Sequence, residues 1–153
     1  MNTSKQLDKQ PDGRQFKLSP DEYRQVLVGL KLRSIELINF AMVKDMDAQV
    51  AGRTIKADIK EQADLIDQGP EIVRIRHACN LSGCIDDNLE VLHIDAVYML
   101  SFSSEVAITE DFFEIFRRLS LSSTTWPYFR ELVGSTTSRT NLPTFTLPFR
   151  ITG

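Results

Sequence analysis

The sequence predicts an α+β fold: a four-stranded antiparallel sheet followed by helices, with an additional helix before the sheet. Three observations predict it. Four β-strand patterns follow one another with no long helical pattern between them, which favours an antiparallel sheet. A helix-start signal precedes the strands, and the hydrophobic period changes to that of a helix after them. With 153 residues, 42% of them hydrophobic, the chain is long enough for one domain with its own core.

The N-terminal region divides into an arm and a helix. Residues 1–17 are polar and aperiodic, which is typical of a flexible arm, so the predicted domain covers residues 18–153. Residues 19–22 (Ser-Pro-Asp-Glu) supply an N-cap, a proline at the first helical position and a capping-box glutamate. An apolar stripe of helical spacing follows. Together these signals predict a helix over residues 20–31.

Four strand patterns come next. They span residues 33–44, 53–60, 71–80 and 90–102. In the first, the alternation of apolar residues slips by one position between Leu37 and Ile38, which indicates a β-bulge or a strand buried on both faces. Because the strands are consecutive, they predict an antiparallel meander.

The last third of the chain changes to a helical period. Thr109 is a candidate N-cap for a helix whose apolar stripe covers residues 112–119. Residues 120–125 form a polar break. Thr125 is then predicted to cap a second helix that tolerates Pro127 in its first turn.

Composition excludes several classes of function. A net charge of −3 and a pI near 5.4 disfavour nucleic acid as a partner, because phosphate binding needs a basic surface. No apolar run reaches the roughly 18 residues of a membrane-spanning helix, and the N-terminus lacks the apolar core of a secretory signal. Two cysteines do not make a disulfide framework. A cytoplasmic protein without membrane insertion is expected.

Catalytic and metal-binding patterns are weak. The residues with metal-ligand chemistry are His77, Cys79, Cys84 and His93, whose spacing matches no familiar zinc motif. A buried role in a strand or turn is the favoured interpretation, since cysteine is among the most buried residue types. There is no Gly-x-Ser-x-Gly nucleophile motif and no glycine-rich phosphate loop. We therefore predict a protein that is not an enzyme and has no metal or other cofactor.

The most specific signals lie near the end of the chain. Residues 126–131 read Trp-Pro-Tyr-Phe-Arg-Glu, and residues 142–149 read Leu-Pro-Thr-Phe-Thr-Leu-Pro-Phe. Pro143 and Pro148 exclude a regular helix from the second segment, which is predicted to be extended. The pair resembles the signature of the SecB export-chaperone family, in which an aromatic-Pro-Tyr-x-Arg-Glu helix start precedes a proline-interrupted apolar run. The resemblance covers about residues 33–149.

The resemblance implies a SecB-like fold and a holdase function. Family members are homotetramers, built as dimers of dimers, whose apolar grooves keep non-native polypeptides unfolded and export-competent without ATP or metal. Carried over to this sequence, it implies a client groove near the helix start, the proline-interrupted segment and the last strand. The predicted client-binding residues are Trp126, Phe129, Leu142, Phe145, Leu147, Phe149, Tyr98 and Leu100. Arg130 and Glu131 are expected to anchor the helix.

Two departures bear on the partner. The chain adds a capped N-terminal helix, and it stops at Gly153, where SecB chains normally continue with a further helix and a tail. Because of both features, the resemblance does not decide whether this chain docks on the translocase motor. They fit the SecB-like chaperones of toxin–antitoxin systems, whose client is an antitoxin, at least as well. The competing hypothesis is a non-catalytic oligomeric adaptor whose surplus apolar surface is used entirely for assembly.

Overall fold

The computed structural model describes residues 17–48, 50–86, 88–142 and 147–148. Its elements run in the order helix, four strands, helical region. They are α1 (Pro20–Gly29), β1 (Lys31–Lys44), β2 (Lys56–Gln68), β3 (Val73–Ile85), β4 (Leu89–Ser103), α2 (Glu110–Phe116), a π-helical turn (Arg117–Leu121) and α3 (Ser122–Thr137). The predicted α+β fold is confirmed: along the chain, an N-terminal helix precedes an antiparallel four-stranded sheet, and further helices follow it.

The predicted capping box opens α1. The Ser19 hydroxyl accepts a hydrogen bond from the backbone N–H of Glu22 (3.2 Å), and the Glu22 carboxylate accepts one from the N–H of Ser19 (2.7 Å). These hydrogen bonds with Ser19 hold the pKa of Glu22 below its ordinary value. The helix ends at Gly29, two residues earlier than predicted, because Leu30 already has an extended backbone. Tyr23 fixes α1 to the rest of the fold by stacking on Phe112, with ring centroids 5.0 Å apart.

Replacing Ser19 by alanine is expected to lower the free energy of unfolding by about 1 kcal/mol, because the N–H of Glu22 loses its acceptor. Ser19→Asp is the matched control, since aspartate caps about as well as serine. Urea unfolding followed by circular dichroism measures both. Equal losses in the two variants would contradict the capping role.

The sheet has the strand order β1-β4-β3-β2, with every pair antiparallel. The meander prediction is confirmed for β2, β3 and β4, but it is wrong for β1, which pairs with β4 instead of β2. The two strands with the most buried residues, β3 and β4, occupy the centre, where each has a neighbour on both sides. The more exposed strands β1 and β2 form the two edges.

The predicted slip in β1 is a register shift in the β1–β4 ladder. One shift falls between Leu37 and Asn39, and another between Leu32 and Ser34. Because side chains alternate between the two faces of a strand, each extra residue in β1 returns the apolar side chains that follow it to the face of the sheet used by the earlier ones. Leu37 consequently pairs with Tyr98, and Phe40 with Ala96. The apolar side chains of β1 therefore lie on the same face of the sheet as the apolar row of β4.

The helical region packs on that face and closes the core. Thr109 caps α2 as predicted, accepting from the N–H of Phe112 (3.2 Å). Phe116 makes an edge-to-face contact with Phe102 of β4, with centroids 5.7 Å apart, and stacks with Phe112 at 5.8 Å. These aromatic contacts join the helical layer to β4.

The predicted polar break at residues 120–125 is wrong, because the chain stays helical from α2 through the π-helical turn into α3. The hydroxyls of Ser123 and Thr124 donate to the carbonyl of Ser120 (2.9 and 2.8 Å), so polar side chains find partners within the helix. Thr125 is not an N-cap: it is fully buried, and Pro127 lies inside α3, beyond its first turn.

Candidate functional site

Six of the eight predicted client-binding residues lie in described parts of the chain, and all six are buried in one core cluster. They are Tyr98, Leu100, Trp126, Phe129, Leu142 and Leu147. The structure brings together Trp126 and Phe129, whose ring centroids are 6.1 Å apart. Phe145 and Phe149 lie outside the described residues. In this arrangement the six side chains face the inside of the chain, and their contact with a client stays a prediction.

Residues 147 and 148 are attached to α3 by two hydrogen bonds. The indole N–H of Trp126 donates to the carbonyl of Pro148 (2.7 Å), and the Arg130 guanidinium donates to the carbonyl of Leu147 (2.6 Å). The predicted anchoring role of Arg130 is thereby confirmed. Leu147 is also buried, in the same core cluster as Trp126 and Phe129.

Sequence reasoning missed a different apolar surface, on β1. Three of its exposed side chains pair with buried residues of β4, so they lie on the face that carries the helices; they are Leu32, Leu37 and Phe40. We call them the β1 shelf. The shelf extends the apolar surface of β4 to the edge strand of the sheet. There, Leu37 and Phe40 are 46% and 39% exposed. The sequence signal is the run 37–43, which contains no charged residue.

The other edge strand is different in character. Exposed charged residues line β2 at Lys56, Asp58 and Lys60, and Ile66 is its exposed large apolar side chain. Charges on an edge strand oppose pairing with another chain. The two edges of the sheet are therefore unequal, with β2 protected by charge and the middle of β1 unprotected.

A second feature is a polar cluster between the sheet and α3. His77 is buried; its Nδ1 lies 2.8 Å from the Thr125 hydroxyl and its Nε2 lies 3.4 Å from a carboxylate oxygen of Glu61. Cys79, buried on the same face of β3, lies opposite Glu61 in the β2–β3 ladder. The His-Cys-Cys-His set considered from sequence is not assembled here. His93 follows the buried Leu92 on β4 and is hydrogen-bonded to Asp95 on the other face.

Tyr98 borders this cluster, paired with His77 in the β3–β4 ladder. Burial raises the pKa of Tyr98 above its ordinary value, and electrostatic interactions with Cys79 and Glu131 raise it further. The phenol is therefore neutral throughout the physiological pH range.

The fold is that of the SecB-like chaperones. Rv1957, the SecB-like chaperone of Mycobacterium tuberculosis, solved in complex with a ChAD peptide from the Rv1956 HigA1 antitoxin, superposes with a TM-score of 0.68 at 22% sequence identity. The match covers 82% of this chain and 93% of that one. A protein of unknown function from Streptococcus agalactiae is less similar, with a TM-score of 0.48, 12% identity and coverage of 78% and 97%.

No protein-family model matches this sequence, and none of the curated protein sequences compared with it matches either. The likeness therefore rests on the arrangement of the elements, which confirms the fold expected from residues 126–131 and 142–149. None of the helices in the described part of the chain is long and apolar enough to cross a membrane.

Proposed function

We propose that this protein is a non-catalytic molecular chaperone of the holdase type, which binds non-native polypeptides through exposed apolar surface. The observation that carries the proposal is the uncovered β1 shelf on a SecB-like fold. The similar Mycobacterium tuberculosis protein is described as a chaperone and was solved with a peptide from an antitoxin. An antitoxin segment is accordingly the client class that we propose first, with a translocated precursor as the second.

The chemistry of the shelf suits a client in extended conformation. Leu37 and Phe40 are separated by a bulge and lie along one strand, so a segment lying beside them presents its alternate side chains to both. Apolar contact of this kind is not sequence-specific, which suits a protein that holds many unfolded chains. The buried residues Tyr98 and Leu100 of β4 lie beside β1 on the same face of the sheet as the shelf.

Leu37→Ala and Phe40→Ala are each expected to weaken binding of an unfolded polypeptide by roughly 5–30-fold, which corresponds to about 1–2 kcal/mol for a lost contact anchor. Fluorescence anisotropy with a labelled, permanently unfolded peptide gives the affinity. Light scattering on the same samples confirms that the assembly is unchanged. Tyr128→Ala is the matched control, because Tyr128 is a large, half-exposed side chain of α3 that is not part of the shelf.

Suppression of aggregation separates a chaperone from the alternative, an oligomeric adaptor. The native protein is expected to keep a chemically unfolded test protein soluble at about equimolar concentration, and the two shelf variants are expected to do so less well. If neither suppression nor peptide binding is measurable, the adaptor hypothesis holds. If binding is normal and the shelf variants match Tyr128→Ala, the client site lies elsewhere, with the six buried residues as the next candidates.

A further inference from the structure

Glu61, His77 and Cys79 bring three metal-binding side chains together on the helix-facing side of the sheet. His77 and Cys79 are two residues apart on β3, and Glu61 lies directly across from Cys79 on β2. One ligand atom from each residue, a carboxylate oxygen, an imidazole nitrogen and the thiol sulfur, lies within 4.8 Å of the others. Neither Cys79 nor Cys84 is in a disulfide.

Neighbouring hydroxyl groups orient two of these ligands. The Ser122 hydroxyl is within hydrogen-bond distance of both oxygens of Glu61 (2.9 and 3.1 Å). The Thr125 hydroxyl is 2.8 Å from Nδ1 of His77, on the side of the ring away from Glu61. When Thr125 accepts the Nδ1 proton, the lone pair of Nε2 points toward Glu61. A partner on the second ring nitrogen is what fixes a metal-binding histidine in proteins.

In the same tautomer, the lone pair of Nε2 of His77 faces a carboxylate oxygen of Glu61 across 3.4 Å, at a place where His77 is 2% exposed. A cation between these two atoms binds both of them. It also favours the thiolate form of Cys79, whose proton leaves to solvent.

The geometry points to a zinc site formed by Glu61 Oε, His77 Nε2 and Cys79 Sγ. Zinc accepts nitrogen, sulfur and oxygen ligands together, at about 2.0–2.3 Å in tetrahedral geometry, which places neighbouring ligands roughly 3.3–3.8 Å apart. The Nε2–Oε1 separation of 3.4 Å already falls in this range. One thiolate and one carboxylate neutralise the charge of the ion.

A fourth ligand position faces a cleft. This cleft has a volume of about 200 Å³ and is lined by Glu61, Gln62, Ala63, His77, Arg117 and Ser122, which leaves room for a water ligand. The positive charge of Arg117 is offset by Glu114, to which its guanidinium donates. The site is independent of the proposed client binding, because the β1 shelf lies at the opposite edge of the sheet.

Zinc titration of the chelator-treated full chain tests the site, with Co²⁺ as the spectroscopic probe. We expect one equivalent of metal per chain and, with Co²⁺, the intense visible bands of a tetrahedral ion with a thiolate charge-transfer band. Cys79→Ser is expected to abolish the charge-transfer band, whereas Cys84→Ser is expected to keep it. Thr125→Val is expected to weaken zinc binding by roughly 10–100-fold, as for other partners of metal-bound histidines.

Glu61→Gln covers the case in which Cys79→Ser or Thr125→Val fails to fold, because Glu61 is the most exposed of the three ligands. It is expected to lower zinc affinity while circular dichroism stays native. Absence of stoichiometric metal in the native chain overturns the site. It is likewise overturned if Cys84→Ser removes the charge-transfer band as completely as Cys79→Ser, or if folded Glu61→Gln binds zinc like the native chain.

Discussion

Replacing Phe129 by alanine is expected to lower the free energy of unfolding by about 3–5 kcal/mol, the usual cost of removing a core phenylalanine. The ring is fully buried and packs beside Trp126 in α3, the helix that covers β4. Alanine leaves a cavity between helix and sheet, where neither element can collapse into the space without losing its other contacts. Urea unfolding at one fixed protein concentration measures the loss, since self-association adds to apparent stability.

Tyr128→Ala provides the comparison for Phe129→Ala from the adjacent residue. Tyr128 is on the same helix but 50% exposed, and surface changes of this kind usually stay within about 0.5 kcal/mol. The difference between the two variants isolates burial from helix propensity, because the replacement residue and the helix are the same. Similar losses in both would show that Phe129 is not a core residue and would return it to the client groove predicted from the sequence.

Local signals in the sequence were sufficient for the caps and for the irregularity of β1. Ser19 and Thr109 act as N-caps because the donors they satisfy lie three residues away, a distance that the sequence itself specifies. The slip between Leu37 and Ile38 was also readable, because a change of phase within one strand requires an extra residue in the ladder.

Tertiary contacts decided what the sequence could not. The polar segment 120–125 looked like a break, yet its helix is stabilised by hydroxyl groups bonding back to Ser120 and by the buried contact between Thr125 and His77. The placement of β1 beside β4 also depends on non-local contacts, because the pattern of apolar residues in one strand does not specify which strand pairs with it.

The predicted client residues show a related limit. A surplus of aromatic residues indicates that much apolar surface must be buried, but not whether the core or a partner buries it. Trp126 and Phe129 turn inward, while Leu37 and Phe40, which form part of an ordinary strand pattern, are left uncovered. Glu61 could not be associated with His77 and Cys79 before the register of β2 against β3 was known.

The edge formed by β1 is a candidate surface for self-association. An edge strand of 14 residues with an uncharged, apolar middle is a template for pairing with another chain. A second copy can pair its own β1 with this one about a two-fold axis, which removes the edge from both chains. Two β1 shelves then lie next to each other on the helix-facing side and form one larger apolar surface. We infer that the predicted dimer of dimers begins with this pairing.

Ile38→Lys is expected to reduce the mass measured by light scattering at micromolar concentration from a multiple of 17.4 kDa to a smaller one, down to the single chain if β1 pairing holds the whole assembly. The two-fold axis places both new charges at one interface, where a lysine on an edge opposes pairing. Ile66→Lys on β2 is a closely matched control: both isoleucines are 49% exposed, and both lie at a register shift of an edge strand. Ile66→Lys should keep the native mass. A native protein that already runs at 17.4 kDa, or a loss of mass confined to Ile66→Lys, contradicts pairing through β1, because the protected edge would then be the one that associates.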